Sequence, residues 1–411
     1  MNIYHVLEFG KLIKLKKITS LELTQIFIQR LKRLLYIDTL LKENTRYNPV
    51  LEAVVTYTGE LANQQAKEAN ELLARGVYLG PLHGIPYGLK DIISVPHYKT
   101  TWGSKTFKDK VLDTETWVFK RLKSARAILV AKLVTRTLAY DDIWFGGRTK
   151  NKWNIEEFTT GMVPFAIGSE TVASMTLPAA HCGVAALCAI FASVGQTHIM
   201  SLLESLDKLG PVYRSVADCA IVLDAIKGKD LDDLSSRDIL SRILSRLTVG
   251  YVDDVDMKVI RVLESKSINM VPFKLNYIVD SVQCIVNFTM DVDMLSHFDE
   301  WQRSRKYDDY ESQANGLLNC VVHAYFQQLT MFSFSVDAFI GNAVDWERIC
   351  MGNLVGMPVI VVPARFTNIL GPPRSDCSRR TAMTTSIYAP PHRDHIVNAL
   401  ALTMAYQFVT T

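Results

Sequence analysis

Gly168-Ser169-Glu170-Thr171-Val172-Ala173-Ser174-Met175-Thr176-Leu177-Pro178-Ala179 lies between an apolar, strand-like run, Val163 to Ile167, and a run of small residues, Ala179 to Ala186. A serine held on a tight turn after a strand can face a cleft and attack a carbonyl, while successive backbone N–H groups beside it stabilise the oxyanion. Taken alone, the same residues also fit an ordinary Ser/Thr-rich turn, since short hydroxyl side chains bond their own backbone there. The surrounding sequence has to decide between the two.

Upstream, Gly84-Ile85-Pro86-Tyr87-Gly88-Leu89-Lys90-Asp91 ends an apolar, Gly- and Pro-shaped segment on a lysine. Lysines are ordinarily solvated surface groups. To act as a base a lysine must be neutral, and at a reference pKa of about 10.4 only about one in 2,500 is neutral at pH 7. Burial among Ile85, Tyr87 and Leu89 would lower that pKa, because desolvation disfavours the ammonium. An ion pair with Asp91 would instead keep the charge, and the sequence leaves both readings open.

Around these stretches, short apolar runs alternate with helical ones. Thr114 to Ala125 precedes the strand-like Ile128 to Leu133, and further strands are expected at Leu247 to Val252, Met270 to Leu275, Ala338 to Gly341 and Met357 to Val362. Helices are expected at Val216 to Ile226, Met257 to Lys266, Ile278 to Gln302 and His395 to Gln407. This alternation predicts an α/β fold, a sheet covered by helices. Nearer the start, Thr19 and Glu22 stand at capping-box spacing before an apolar face of Leu23, Ile26, Phe27, Leu31 and Leu34. A second helix runs from about Glu60 to Arg75, with Gly76 placed to end it. Leu34 to Arg46 and Arg303 to Phe334 carry no clear period.

Apolar residues make up 48% of the 411 and charged residues 21%, enough core material to exclude a largely disordered chain. A formal net charge of +3 without any dominant Lys/Arg block gives no support to a nucleic-acid or anionic-membrane partner. No run is long enough to cross a bilayer and Met1-Asn2-Ile3-Tyr4-His5 lacks a signal-peptide pattern, so a soluble, cytoplasmic protein is expected. The seven cysteines include no C-x-x-C and read as reduced core thiols. His392 and His395, the one close histidine pair, read as capping or surface groups, so no metal and no cofactor is expected.

The two segments, in this order, together with Trp144-Phe145-Gly146-Gly147-Arg148-Thr149-Lys150-Asn151-Lys152-Trp153-Asn154, closely resemble the amidase signature family. Gly80-Pro81-Leu82-His83, Ser205-Leu206-Asp207-Lys208-Leu209-Gly210-Pro211 and Asn353-Leu354-Val355-Gly356-Met357-Pro358-Val359-Ile360-Val361-Val362-Pro363 extend the match. The resemblance implies an α/β/α amidase-type fold with a mixed central sheet covered by helices. It also implies hydrolysis of a small amide substrate through a Ser-cisSer-Lys triad, without metal. In that scheme Lys90 matches the lysine, Ser174 matches the nucleophile, and the backbone N–H groups of Thr171, Val172, Ala173 and Ser174 match the oxyanion loop. A single amidase-like domain over 15–411 is expected, with a helical N-terminal part at 15–76, the signature core at 77–230 and a C-terminal part at 231–411.

The sequence departs from the family pattern. The Gly/Ser-rich stretch that supplies the bridging serine is missing, for Glu157-Phe158-Thr159-Thr160-Gly161 passes directly into Met162-Val163-Pro164. Thr159 or Thr160 is the candidate substitute relay, with a water carrying the proton as the alternative. Val172-Ala173 replaces a Gly-Gly pair, so strain is expected where a β-branched residue enters a loop of positive φ. Thr176 replaces an arginine, and Arg126 stands where a small residue is favoured. The reading is therefore an amidase-type hydrolase with an impaired site. Its alternatives are a catalytically inactive member serving as a binding or scaffold protein or a decayed copy, and an amidotransferase-subunit-like member.

Overall fold

The alternation of side chains along Val359-Ile360-Val361-Val362 separates two apolar layers. Ile360 and Val362 join the largest core, whereas Val359 and Val361 pack into clusters elsewhere. Successive strand residues point to opposite faces, so both faces of this strand are covered. The protein is described from a computed structural model, which covers residues 5–32, 52–140, 143–151, 163–203, 206–233, 235–236, 247–275, 279–298, 336–368 and 380–408. The expected features at 34–46, at Thr159 and Thr160 and at 303–334 lie outside the described residues.

The strands are β1 (Val54–Tyr57), β2 (Pro86–Lys90), β3 (Ile128–Leu133), β4 (Phe165–Glu170), β5 (Ala185–Cys188), β6 (Lys208–Tyr213), β7 (Thr248–Tyr251), β8 (Asn269–Pro272), β9 (Ala338–Asn342), β10 (Val359–Asn368) and β11 (Arg380–Tyr388). They form one 11-stranded sheet in the order β1-β3-β2-β4-β6-β5-β10-β11-β9-β7-β8. The sheet is mixed. β2 runs parallel to both β3 and β4, while β4 and β6 are antiparallel. Chain order thus leaves β2 for β3 on one side and returns to β4 on the other. In open α/β sheets such a reversal opens a crevice at the carboxyl ends of the strands.

Helices α1 (Val6–Lys14), α2 (Ser20–Lys32), α3 (Gly59–Ala74), α4 (Trp117–Ser124), α5 (Thr176–Cys182), α6 (Cys219–Ile226), α7 (Met257–Glu264), α8 (Val279–His297), α9 (Trp346–Leu354) and α10 (Asp394–Phe408) flank the sheet. At α2 the capping box forms as the sequence predicts. Thr19 Oγ1 accepts from Glu22 N at 3.1 Å and Glu22 accepts from Thr19 N at 2.8 Å, with Leu23, Phe27 and Leu31 buried, whereas Ile26 turns to the exposed side and Leu34 lies outside the described residues. Past α3, Gly76 takes φ +83 and Val77 N bonds back to Leu72 O at 2.9 Å, the closure a C′ glycine allows. Arg126 occupies a comparable left-handed position at φ +59 before β3, which explains why a small residue suits that turn. Its guanidinium meets Glu68 at 3.0 Å.

Several elements escape periodicity. β6 reads Lys208-Leu209-Gly210-Pro211-Val212-Tyr213, a composition that argues against a central strand, yet it pairs with β4 on one side and β5 on the other. The polar β11 and the helices α1 and α9 are likewise outside the sequence expectation.

Candidate active site

The carboxyl ends of β2 and β4 lie side by side, with Leu89 opposite Ile167. That register brings the last residue of β2, Lys90, to the end of β4, where its Nζ donates to Ser169 Oγ at 2.8 Å and to Ser169 O at 3.2 Å. The next residue turns the other way. Asp91 is fully buried and pairs with Lys132 at 2.9 Å, while its second oxygen accepts from Thr101 N at 3.0 Å. Strand alternation therefore denies Asp91 to Lys90, and the open question between ion pair and buried lysine resolves toward the latter. Burial draws the Lys90 ammonium down to about 8; the Arg136 cation acts in the same direction, and the Asp207 and Glu170 carboxylates oppose it.

Lys90, Thr171, Val172, Ala173 and Ser174 all line one cavity of about 300 Å³. Leu133, Ile143, Trp144, Leu177, Met290 and Trp346 supply much of its apolar wall, and Arg136 lies at its edge. Thr159 and Thr160 belong to a segment outside the described residues.

Glu170 shapes the serine loop. Its buried carboxylate accepts from Met175 N at 2.9 Å and Thr176 N at 2.7 Å, so it holds the first turn of α5 immediately after Ser174. Asn353 Nδ2, from α9, donates to the same carboxylate at 2.8 Å, and Asn353 Oδ1 accepts from Lys208 Nζ on β6. Thr171 Oγ1 donates to Asp207, whose other oxygen takes Ser201 Oγ and Leu202 N, each at 2.7 Å. Both ends of the loop are thus tied down. Among the described residues, the backbone N–H groups of Val172, Ala173 and Ser174 donate to no other protein group. Unbonded N–H groups next to a serine are what an oxyanion requires.

A sequence profile of the Amidase family matches residues 36–277. The chain belongs to the amidase family. Among curated relatives, a glutamyl-tRNA(Gln) amidotransferase subunit of Moorella thermoacetica is 31% identical over 256 residues, 58% of this chain and 50% of that protein. Its counterpart from Carboxydothermus hydrogenoformans is 29% identical over 293 residues, 63% of this chain and 58% of that protein. The chain thus spans only half or somewhat more of these relatives' length. The native peptide amidase of Stenotrophomonas maltophilia matches with a TM-score of 0.78 at 19% identity, covering 99% of this chain and 97% of that one. At that identity the likeness establishes the amidase fold.

Within this amidase-family framework, the expected position of the strain needs correction. Ala173 carries the positive φ, at +61, and Val172 does not. Val172 packs instead against the cluster holding Cys188 and Met351, so its branched side chain is accommodated by ordinary burial. The thiol expectation also needs amending, because Cys284 is exposed while Cys182, Cys188, Cys219 and Cys350 are buried. Ser169, Glu170, Asn353 and Lys208 were all present in the quoted motifs without an assigned role. Only their convergence from β4, α9 and β6 reveals one.

Proposed function

We propose that this chain is an amidase-type hydrolase that cleaves the C–N bond of a small carboxamide through an acyl-enzyme on Ser174. The observation that carries this reading is the meeting of Lys90 and Ser174 on one cavity, with the unbonded N–H groups of residues 172–174 beside the serine. Lys90 in its neutral form is the base, and Ser169, the hydroxyl already bonded to Lys90, takes the place of the relay. Ser174 Oγ adds to the amide carbonyl as its proton moves toward Lys90. The proton then passes to the leaving nitrogen, the C–N bond breaks, and water hydrolyses the ester by the reverse proton path.

The departures from the family signature support impaired turnover. A displaced proton relay is commonly worth about 10² to 10⁴ in rate. The test is labelling with a serine-directed fluorophosphonate, with hydrolysis measured on a panel of small amides. Labelling lost in Ser174→Ala, together with weak turnover lost in Lys90→Ala and Ser169→Ala but kept in Ser169→Thr, supports the reading. A folded protein that neither labels nor turns over any amide supports the non-catalytic member instead.

The curated relatives favour a second reading, in which the chain handles an amide in the manner of an amidotransferase component. Ammonia release that rises only on adding a partner protein would favour it.

A further inference from the structure

The cavity that holds Lys90 and Ser174 is lined, among the described residues, by only two charged side chains, and both are cations. One is Lys90, already engaged with Ser169. The other is Arg136, three residues beyond the end of β3, exposed at the cavity edge. Among the described residues its guanidinium has no ion pair and no hydrogen bond, in contrast to Arg126 on Glu68 and Arg348 on Asp254 and Asp345. The carboxylates of the site face elsewhere. Glu170 is spent on Met175 N, Thr176 N and Asn353, and Asp207 on Thr171, Ser201 and the backbone at 202 and 203.

We propose that Arg136 is a specificity residue that selects amides bearing a carboxylate at the end remote from the scissile bond. This rests on the amidase reading of the same site for the word amide, but the preference for an anion rests on the cavity alone. A guanidinium offers a planar fork of donors that matches a carboxylate in two parallel hydrogen bonds. Lys90, the other cation of the cavity, is engaged with Ser169 beside the serine loop, so Arg136 is the charged group left for an anion remote from the scissile bond, and Trp144, Leu177 and Met290 suit the apolar stem between the two ends. The volume of about 300 Å³ lies at the small end of ligand pockets, which limits that stem to a short chain. A cationic or long-chain amide would meet like charge at Arg136 and too little room.

The decisive measurement needs no turnover. Calorimetric titration of full-length Ser174→Ala compares the monoamide of a five-carbon dicarboxylic acid with pentanamide, its neutral counterpart of equal length. The anionic amide should bind about ten- to a hundredfold more tightly, as a hydrogen-bonded charge pair allows. Arg136→Gln in the same background should erase the preference without weakening pentanamide binding. Arg136→Glu should reverse it toward an amide carrying a terminal ammonium. Equal affinities for the two amides, a preference that survives Arg136→Gln, or no binding of either at millimolar concentration would each overturn the proposal. Selective anion binding in a protein whose wild-type form hydrolyses nothing would retain Arg136 as an anion selector while removing the hydrolase reading.

Discussion

Lys90 Nζ stands 2.8 Å from Ser169 Oγ and 3.2 Å from the Ser169 carbonyl oxygen. The carbonyl can only accept, so it takes one N–H of the lysine in either protonation state. The hydroxyl can accept from an ammonium or donate to a neutral amine. The pair is therefore suited to both sides of a proton transfer.

If Lys90 is the base, kcat/KM should climb as pH passes about 8 and level off above it, because only the neutral amine accepts a proton. Arg136→Gln should move that limb upward, since it removes a cation that disfavours the ammonium. The folded pKa lies below the unfolded value of about 10.4, so the unfolded chain binds more protons between about 8 and 10.4 and stability should rise with pH across that window. Lys90→Met should accordingly stabilise the fold at pH 7 by about 1–3 kcal/mol while abolishing turnover. Urea denaturation and a pH–rate profile check both signs.

Glu170→Gln keeps the shape of the side chain but turns an amide NH₂ toward groups that also donate. Met175 N, Thr176 N and Asn353 Nδ2 cannot all be satisfied by one remaining oxygen. The expected outcome is a loss of about 2–3 kcal/mol in stability and slower fluorophosphonate labelling of Ser174. Unchanged labelling would mean that the carboxylate does not position the serine.

Ala173 and Val172 should respond oppositely to glycine. Ala173→Gly relieves a left-handed φ of +61, a gain of about 1 kcal/mol before the entropy of glycine in the unfolded chain is set against it. Thermal unfolding should show little change or a small rise in Tm. Val172→Gly removes buried apolar contact and relieves no positive φ, so it should cost about 1–3 kcal/mol.

The Asp91–Lys132 pair has both side chains fully buried. Lys132→Met leaves Asp91 charged without its partner and should cost about 3–5 kcal/mol, whereas adding Asp91→Asn should recover most of that. A double-mutant cycle by urea denaturation measures the difference.

A single cooperative unit over 15–411 is expected to resist division. Limited proteolysis that releases two stable halves, each with its own unfolding transition, would contradict it.

Sequence alone determined the class of fold and pointed to the two segments that hold the proposed site. Glu60 to Arg75 with Gly76 and the Thr19–Glu22 box announce themselves through interactions made within a few residues, and the run Ile128 to Leu133 through its largely apolar composition, signals that survive without tertiary context. Lys90 and Ser174 could be proposed together from sequence because the residues around them form long collinear motifs, and the fold brings both to one cavity. What the tertiary structure decided is which groups those residues meet. Asp91 adjoins Lys90 in sequence yet bonds Lys132 and Thr101, while Ser169, 79 positions away, bonds Lys90. β6, with Gly210 and Pro211, becomes a central strand because β4 and β5 pair with it from both sides. Asn353 reaches Glu170 across 183 positions. Register between strands and the approach of distant helices fix these partners, and neither is encoded in any local period of the chain.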